Sequence, residues 1–205
     1  SLYMVLLGLG QIVFGPLSDR IGRRPILLTG ALLFTGASFC LALSSTPLPF
    51  LLFRTLQAIG ASAVLVATFA TVRDVYGDRP ESTIIYGMFT SMLAFVPALR
   101  PIAGAVIADM FGWRAIFLAL SGLGAMAGLR ALSMWHETRP IHSFSTKRTF
   151  MPILSNITFW TYTLGFSAAM GAFFVFFSTA PRVLIDNAKY SEIHFSLIFA
   201  TVAAV

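Results

Sequence analysis

Long apolar runs, each closed by a short stretch of charge, proline or small polar residues, set the pattern of this chain. No charged residue falls between Arg24 and Arg54, between Arg54 and Arg73, between Glu81 and Arg100, or between Arg148 and Arg182. An α-helix needs about 20 apolar residues to cross the hydrocarbon core of a bilayer. Seven helical segments are predicted: Leu2–Leu17, Pro25–Ser44, Pro49–Val72, Thr83–Ala108, Trp113–Trp135, Thr158–Pro181 and Ile193–Val205. The stretch after Arg54 is a little short for a full span unless Arg54 itself lies inside it. Apolar character runs nearly all round each segment, as suits helices that face lipid and one another rather than water. Ser1 opens the chain inside an apolar run and Val205 ends it inside another, with no signal-peptide pattern. Both ends are therefore expected to cut through helices, making this a partial sequence.

Composition strengthens the case. Of 205 residues, 57% are hydrophobic and 11% charged, and mean hydropathy is +0.84. A soluble domain is nearer a quarter charged, because it must cover a water-facing surface. The predicted fold class is all-α, a polytopic transmembrane helix bundle in a lipid bilayer. A net charge of +6 could suggest nucleic acid, but no basic stripe interleaved with aromatics exists to read bases, and no nucleic-acid partner is expected. Membrane proteins concentrate Lys and Arg in cytoplasmic loops. With the loop Ser18–Arg24 in the cytoplasm, that side collects Arg20, Arg23, Arg24, Arg73, Arg79, Arg130, Arg139, Lys147 and Arg148. The other side holds Arg54, Arg114, Arg182 and Lys189, so nine against four fixes the orientation. Cys40 stands alone and forms no internal disulfide; a buried core thiol is the simple reading. His136, His142 and His194 lack metal-ligand spacing, and no catalytic set is visible, so neither enzyme, cofactor nor metal is expected.

Three stretches carry candidate chemistry. The first is Gly15-Pro16-Leu17-Ser18-Asp19-Arg20-Ile21-Gly22-Arg23-Arg24. Gly15 permits close backbone approach at a helix end, and Gly22 a tight turn. Asp19 is an acid among bases, to be stabilised by a helix N-terminus or an Arg. A plain stop-transfer cluster of positive charge is the alternative. The second is Arg54-Thr55-Leu56-Gln57-Ala58-Ile59-Gly60-Ala61, in which Arg54, Gln57, Ala58 and Ala61 share one helical face. A charge in a spanning helix costs about 2.5–3.5 kcal/mol on insertion scales, so Arg54 either faces a wet cavity or a partner, or snorkels to the outer interface. The third runs from Gly87 through Phe95, Pro97, Arg100 and Pro101 to Gly104. Two prolines four apart among small residues predict a kinked, closely packing helix. In the sixth segment Phe173 and Phe177 either line a cavity for a flat, moderately apolar molecule or face lipid and core. The polar loop His136–Ile157 is longer than the other connections and reads either as a linker between two helical halves or as a long surface loop.

The first stretch matches Gly-x-Leu-x-Asp-Arg-x-Gly-Arg followed by Arg or Lys, and so resembles the signature loop between the second and third helices of the major facilitator superfamily. That resemblance implies a twelve-helix parent of which this chain supplies about seven. Residues 1–135 become part of the N-terminal half (family helices two to six), 136–157 the cytoplasmic linker, and 158–205 the start of the C-terminal half. It also implies a conformational latch of Gly15, Asp19, Arg20, Gly22, Arg23, Arg24 and Asp74, with Arg23–Asp74 an ion pair made in the outward-open state. As a surface pair it would be worth about 0–1 kcal/mol, enough to bias a two-state switch. The second stretch resembles the drug:proton antiporters' fourth-helix motif, Arg-x-x-Gln-Gly-x-Gly-Ala, with Ala58 where Gly is usual. This implies proton coupling by Arg54 and Gln57, the permanent cation lowering the pKa of a nearby carboxylate. No acid within the chain is a strong candidate for that carboxylate, which in the family commonly lies on the first helix.

The third stretch resembles the fifth-helix antiporter motif, with Arg100 in place of its Gly. That departure adds bulk and charge at a close-packing point, and either snorkels outward or disables the protein. The runs Gly15–Leu28, Val66–Tyr76, Ser91–Leu99, Trp135–Pro140, Phe173–Ile185 and Tyr190–Ile193 look like bacterial phenicol exporters. The resemblance implies export of chloramphenicol and florfenicol by proton antiport from the bacterial inner membrane. The implied partners are a small-molecule drug and protons, with the transporter a monomer. Ala58, Ala61, Phe95, Phe173 and Phe177 are the candidate cavity residues. A facilitator-type uniporter, or a multidrug exporter with another substrate, is the alternative; loss of export on collapsing the proton gradient would separate antiporter from uniporter. The 205 residues alone are expected not to move drug.

Overall fold

A computed structural model describes residues 2–139, 154–181 and 183, and the described residues form helices and connecting turns with no strand. Among the described residues are six α-helices: α1 (Leu2–Ile21), α2 (Arg23–Leu43), α3 (Pro47–Tyr76), α4 (Ser82–Phe111), α5 (Trp113–Met134) and α6 (Ile157–Pro181). Of these, α1, α2, α3 and α5 are long and apolar enough to cross a membrane. The seventh predicted segment and most of the predicted linker lie outside the described residues.

The helices exceed their apolar runs at the charged ends. α1 continues through Asp19 and Arg20 to Ile21, and α3 continues through Arg73 and Asp74 to Tyr76. Residues expected in loops thus stand on helices, because backbone hydrogen bonding continues past the edge of the apolar stretch. The turn between α1 and α2 shrinks to Gly22. Its φ of 120° lies in a region that side-chain-bearing residues rarely adopt, and its N–H closes α1 on the Ser18 carbonyl at 3.1 Å. α4 stays helical through Pro97 and Pro101.

Two compact units divide the chain, Ser1–Leu93 with Ala103–Phe144, and Ala94–Ile102 with Ser145–Val205. In the first, α3 packs against α1 and α2, and α2 also packs against α5. Small residues allow this. A Cβ placed on Gly60 of α3 would stand 2.6 Å from the Phe34 nitrogen and 2.8 Å from the Gly30 oxygen of α2. One on Gly30 would stand 2.7 Å from the Ala63 Cβ. On α5, a Cβ at Gly124 would meet Thr35 Oγ1 at 2.7 Å, and Ser121 Oγ donates to the Thr35 carbonyl at 3.0 Å. Ile26, Leu27, Ala63, Ala67 and Ala131 fill the core between these helices. Backbone flanks the α2–α3 crossing, so nothing there can swing aside. Gly60→Val is expected to destabilise this unit by about 3 kcal/mol or more, the upper end for overpacking. If thermal unfolding in detergent finds the variant as stable as wild type, the crossing is looser than described.

Candidate functional site

One cluster gathers where α1 meets α2 and the far end of α3. Arg23, the first residue of α2, points inward with 2% of its side chain exposed. Its Nε donates to Asp74 Oδ2 at 2.8 Å, and its Nη1 lies 2.6 Å from Asp19 Oδ1 and donates to Ser18 Oγ at 3.2 Å. Asp19 and Arg23 face each other because they stand four residues apart across the Gly22 turn. Asp74 is also enclosed, at 6% exposure, with Arg73 Nη2 3.5 Å away. The structure therefore corrects the expected surface pair: the side chains of Arg23 and Asp74 are both enclosed. That raises the stakes, because a buried ion pair that loses one partner leaves an uncompensated charge.

Glu137 is a member of this cluster that sequence reasoning missed. Beyond α5 the chain turns back, and Glu137 Oε1 accepts from the Arg23 N–H at 2.8 Å while Oε2 accepts from the Arg24 N–H at 3.2 Å. A carboxylate thus sits on the free N–H groups at the start of α2, where a helix dipole favours negative charge. Thr138 and Arg139 N–H groups add bonds of 3.1 and 3.0 Å to Oε1. Arg24 Nη2 donates to the Leu132 carbonyl at 3.0 Å, and Arg139 Nη1 donates to the Arg20 carbonyl. A Cβ on Gly22 would collide with the Glu137 carboxylate, so Gly22 serves both the turn and this approach. Gly15, by contrast, has open space about it among the described residues, against the expected close approach.

Desolvation pushes the Glu137 carboxyl up, but the backbone N–H donors of Arg23, Arg139, Arg24 and Thr138 outweigh it and hold the group below its ordinary 4.5. A depressed carboxyl stabilises the fold above its unfolded-state pKa, and that contribution disappears as pH falls through the lower folded-state value. Wild type should therefore melt above Glu137→Gln at neutral pH, with the gap closing only below about pH 4.5. A gap unchanged in acid would contradict this.

A second cluster surrounds Arg54 on α3. Its Nη1 donates to Gln57 Oε1 at 2.5 Å. Gln57 Nε2 donates to Ser38 Oγ of α2 at 2.8 Å, and Ser38 Oγ donates to the Phe34 carbonyl at 2.7 Å. The Arg54 guanidinium carbon lies 4.4 Å from the Tyr3 ring centroid and 5.6 Å from that of Phe117. Phe117 belongs to an edge-to-face trio with Phe50 and Trp113. Arg54 is thus engaged by α1, α3 and α5 side chains while half-buried. Ala61 is half-buried too, but Ala58 has no exposed surface, so it packs and lines no cavity. Spacing put Ala58 on the same face as Arg54 without revealing that neighbouring residues close over it.

A cavity of about 390 Å³ opens beside the first cluster, lined by Gln11, Gly15 and Asp19 of α1, Leu65, Val66, Phe69, Ala70 and Arg73 of α3, and Tyr86 of α4. It shares Gly15 and Asp19 with the latch residues, and of the expected cavity residues whose side chains are described, Ala58 and Ala61, it includes neither. For Phe95, Pro97, Arg100, Pro101, Phe173 and Phe177 the backbone is helical, and their side chains lie outside the described residues. Among the described residues Gly104 has open space around it, in place of the expected close packing. Cys40 is half-buried rather than a core thiol. No group of three or more His, Cys, Asp or Glu able to hold a metal occurs among the described residues.

The family model described as Major Facilitator Superfamily matches residues 1–205. The chain belongs to that superfamily. It is a multi-pass protein of the bacterial inner membrane and a member of a transporter family. Over 98% of its length it is 51% identical to a chloramphenicol resistance protein of Pseudomonas aeruginosa, covering 48% of that protein. It is also 26% identical to the multidrug resistance protein MdtL of Klebsiella pneumoniae and 28% identical to MdtL of Escherichia coli, over all of this chain and 53% of each relative. The chain spans about half the length of these curated relatives.

Proposed function

We propose that the whole protein is a secondary transporter, not an enzyme, that exports phenicol antibiotics of the chloramphenicol type in exchange for protons. The carrying observation is the 51% identity to a chloramphenicol resistance protein along nearly the entire chain. Three features support a mechanism. Arg54 is permanently charged and its Gln57 and aromatic contacts keep it among the helices. A cation so held lowers the pKa of a carboxylate brought near it, which favours proton release. The Asp19–Arg23–Asp74 cluster supplies a buried contact whose making and breaking could bias two states of the transporter. Where the latch opens, the 390 Å³ cavity offers an apolar wall of Val66 and Phe69 with Gln11, Asp19, Arg73 and Tyr86 as polar contacts. Its size suits a small amphipathic drug.

A broader substrate range is the second reading, favoured by the likeness to two proteins named for multidrug resistance. Expression of a full-length transporter carrying these residues in a sensitive bacterium distinguishes them. Raised resistance to chloramphenicol without protection against unrelated toxic dyes supports the phenicol exporter. Protection against both supports the multidrug reading, and protection against neither removes both.

A further inference from the structure

Ser38 lies in an apolar run of α2, where a small polar residue usually does no more than return its hydroxyl proton to the carbonyl four residues back. It does that here, to Phe34. It also has a second bond across the helix interface, as acceptor from Gln57 Nε2. We propose that Ser38 is a positioning residue that holds Arg54 through Gln57; this rests on the coupling role proposed for Arg54.

The direction of the chain of bonds follows from chemistry. A guanidinium only donates, so Gln57 must turn its carbonyl oxygen to Arg54. Its NH2 then points the opposite way and needs an acceptor. Gln57 is 1% exposed and Ser38 0%, so the helix packing shields both from solvent. The Ser38 hydroxyl proton is committed to Phe34, leaving its oxygen lone pair for Gln57. Each partner therefore has one orientation that satisfies all three bonds. The anchor is stiff, because the Phe34 carbonyl belongs to α2 where its backbone packs against α3, a Cβ on Gly60 standing 2.6 Å from the Phe34 nitrogen. Tyr3 and Phe117 engage the guanidinium from other helices, while Ser38 and Gln57 set its hydrogen-bonding edge. Without the Ser38 hydroxyl, the buried Gln57 amide keeps a donor with no acceptor and gains by rotating away from Arg54.

The test is a set of variants in a full-length transporter carrying this sequence, reconstituted and assayed for export driven by a proton gradient. Ser38→Ala should lower the maximal rate about tenfold while leaving KM for chloramphenicol within about twofold, since Ser38 has no exposed surface for a drug to meet. Ser38→Thr, which keeps the oxygen, should recover most of that rate. Gln57→Leu should cost at least as much, and Ser38→Ala combined with Gln57→Leu should be no worse than Gln57→Leu alone, because residues acting as one unit are non-additive. Wild-type rates in Ser38→Ala, or additive losses in the double variant, would overturn the proposal even if Thr at 38 proved too bulky to fold. Arg54→Ala in parallel separates the two levels. If Arg54→Ala exports normally, the coupling role itself is wrong; if it does not and Ser38→Ala does, only the positioning role fails.

Discussion

Arg54→Ala in a full-length transporter should insert and fold but lose gradient-driven export by about one to three orders of magnitude. A cation beside a carboxylate typically lowers its pKa by about 1–3 units, each a tenfold change in proton release at a given pH. Under the coupling role proposed for Arg54, its removal would leave the partner carboxylate protonated through the part of the cycle where it has to discharge. The fold is expected to survive, because the Gln57 hydrogen bond and the Tyr3 and Phe117 rings hold a side chain that is half-buried rather than sealed in the core. Cation–π interactions are worth about 0.5–2 kcal/mol each. Arg54→Lys keeps the charge but not the planar fork that meets Gln57 and stacks on rings. It should fall between wild type and Ala. Export at the wild-type rate from Arg54→Ala, with equal amounts of folded protein, would contradict the coupling role.

The second large effect concerns Arg23. Arg23→Ala would remove the cation that Asp19 and Asp74 share, leaving the enclosed Asp74 with the longer 3.5 Å contact to Arg73, and breaking a buried pair from one side costs about 3–5 kcal/mol. Asp74→Asn is gentler. Arg23 retains Asp19 at 2.6 Å, and an Asn oxygen can still accept from the Arg23 Nε; a loss of about 1–2 kcal/mol is expected, in the range for a weakened charged hydrogen bond. The ordering carries the test. If thermal or denaturant unfolding finds Asp74→Asn as damaging as Arg23→Ala, then Arg23 is not shared between two acids as described. If neither variant moves stability, the pair is solvated in the working protein.

Much of this was legible from the residues because membrane helices follow one rule, an unbroken apolar run. The existence of each described helix, the turn at Gly22 and the pairing of Arg23 with Asp74 were all within reach, the last through a motif resemblance. Helix ends were not. Asp19, Arg73 and Asp74 belong to helices because backbone hydrogen bonding does not stop where hydrophobicity does. Contacts over long sequence distance were also hidden. Glu137 meets the Arg23 N–H across 114 positions, and nothing local marks the acid in Trp135-His136-Glu137-Thr138-Arg139 as a cap for α2. A faint signal existed, since it is an acid on the side where basic residues collect. Ser38 gave even less, being one small residue in a run of small and apolar ones. Ala58 shows the opposite failure: its helical face was right, but only packing reveals that neighbouring residues bury it completely.

Movement of drug against protons tests the central claim most directly. Inverted vesicles containing a full-length transporter with these residues, given an acidic lumen, should accumulate chloramphenicol from a neutral bath and alkalinise the lumen as they do so. A protonophore should end both. Accumulation that ignores the protonophore, or a lumen pH that stays constant while drug enters, would contradict proton antiport.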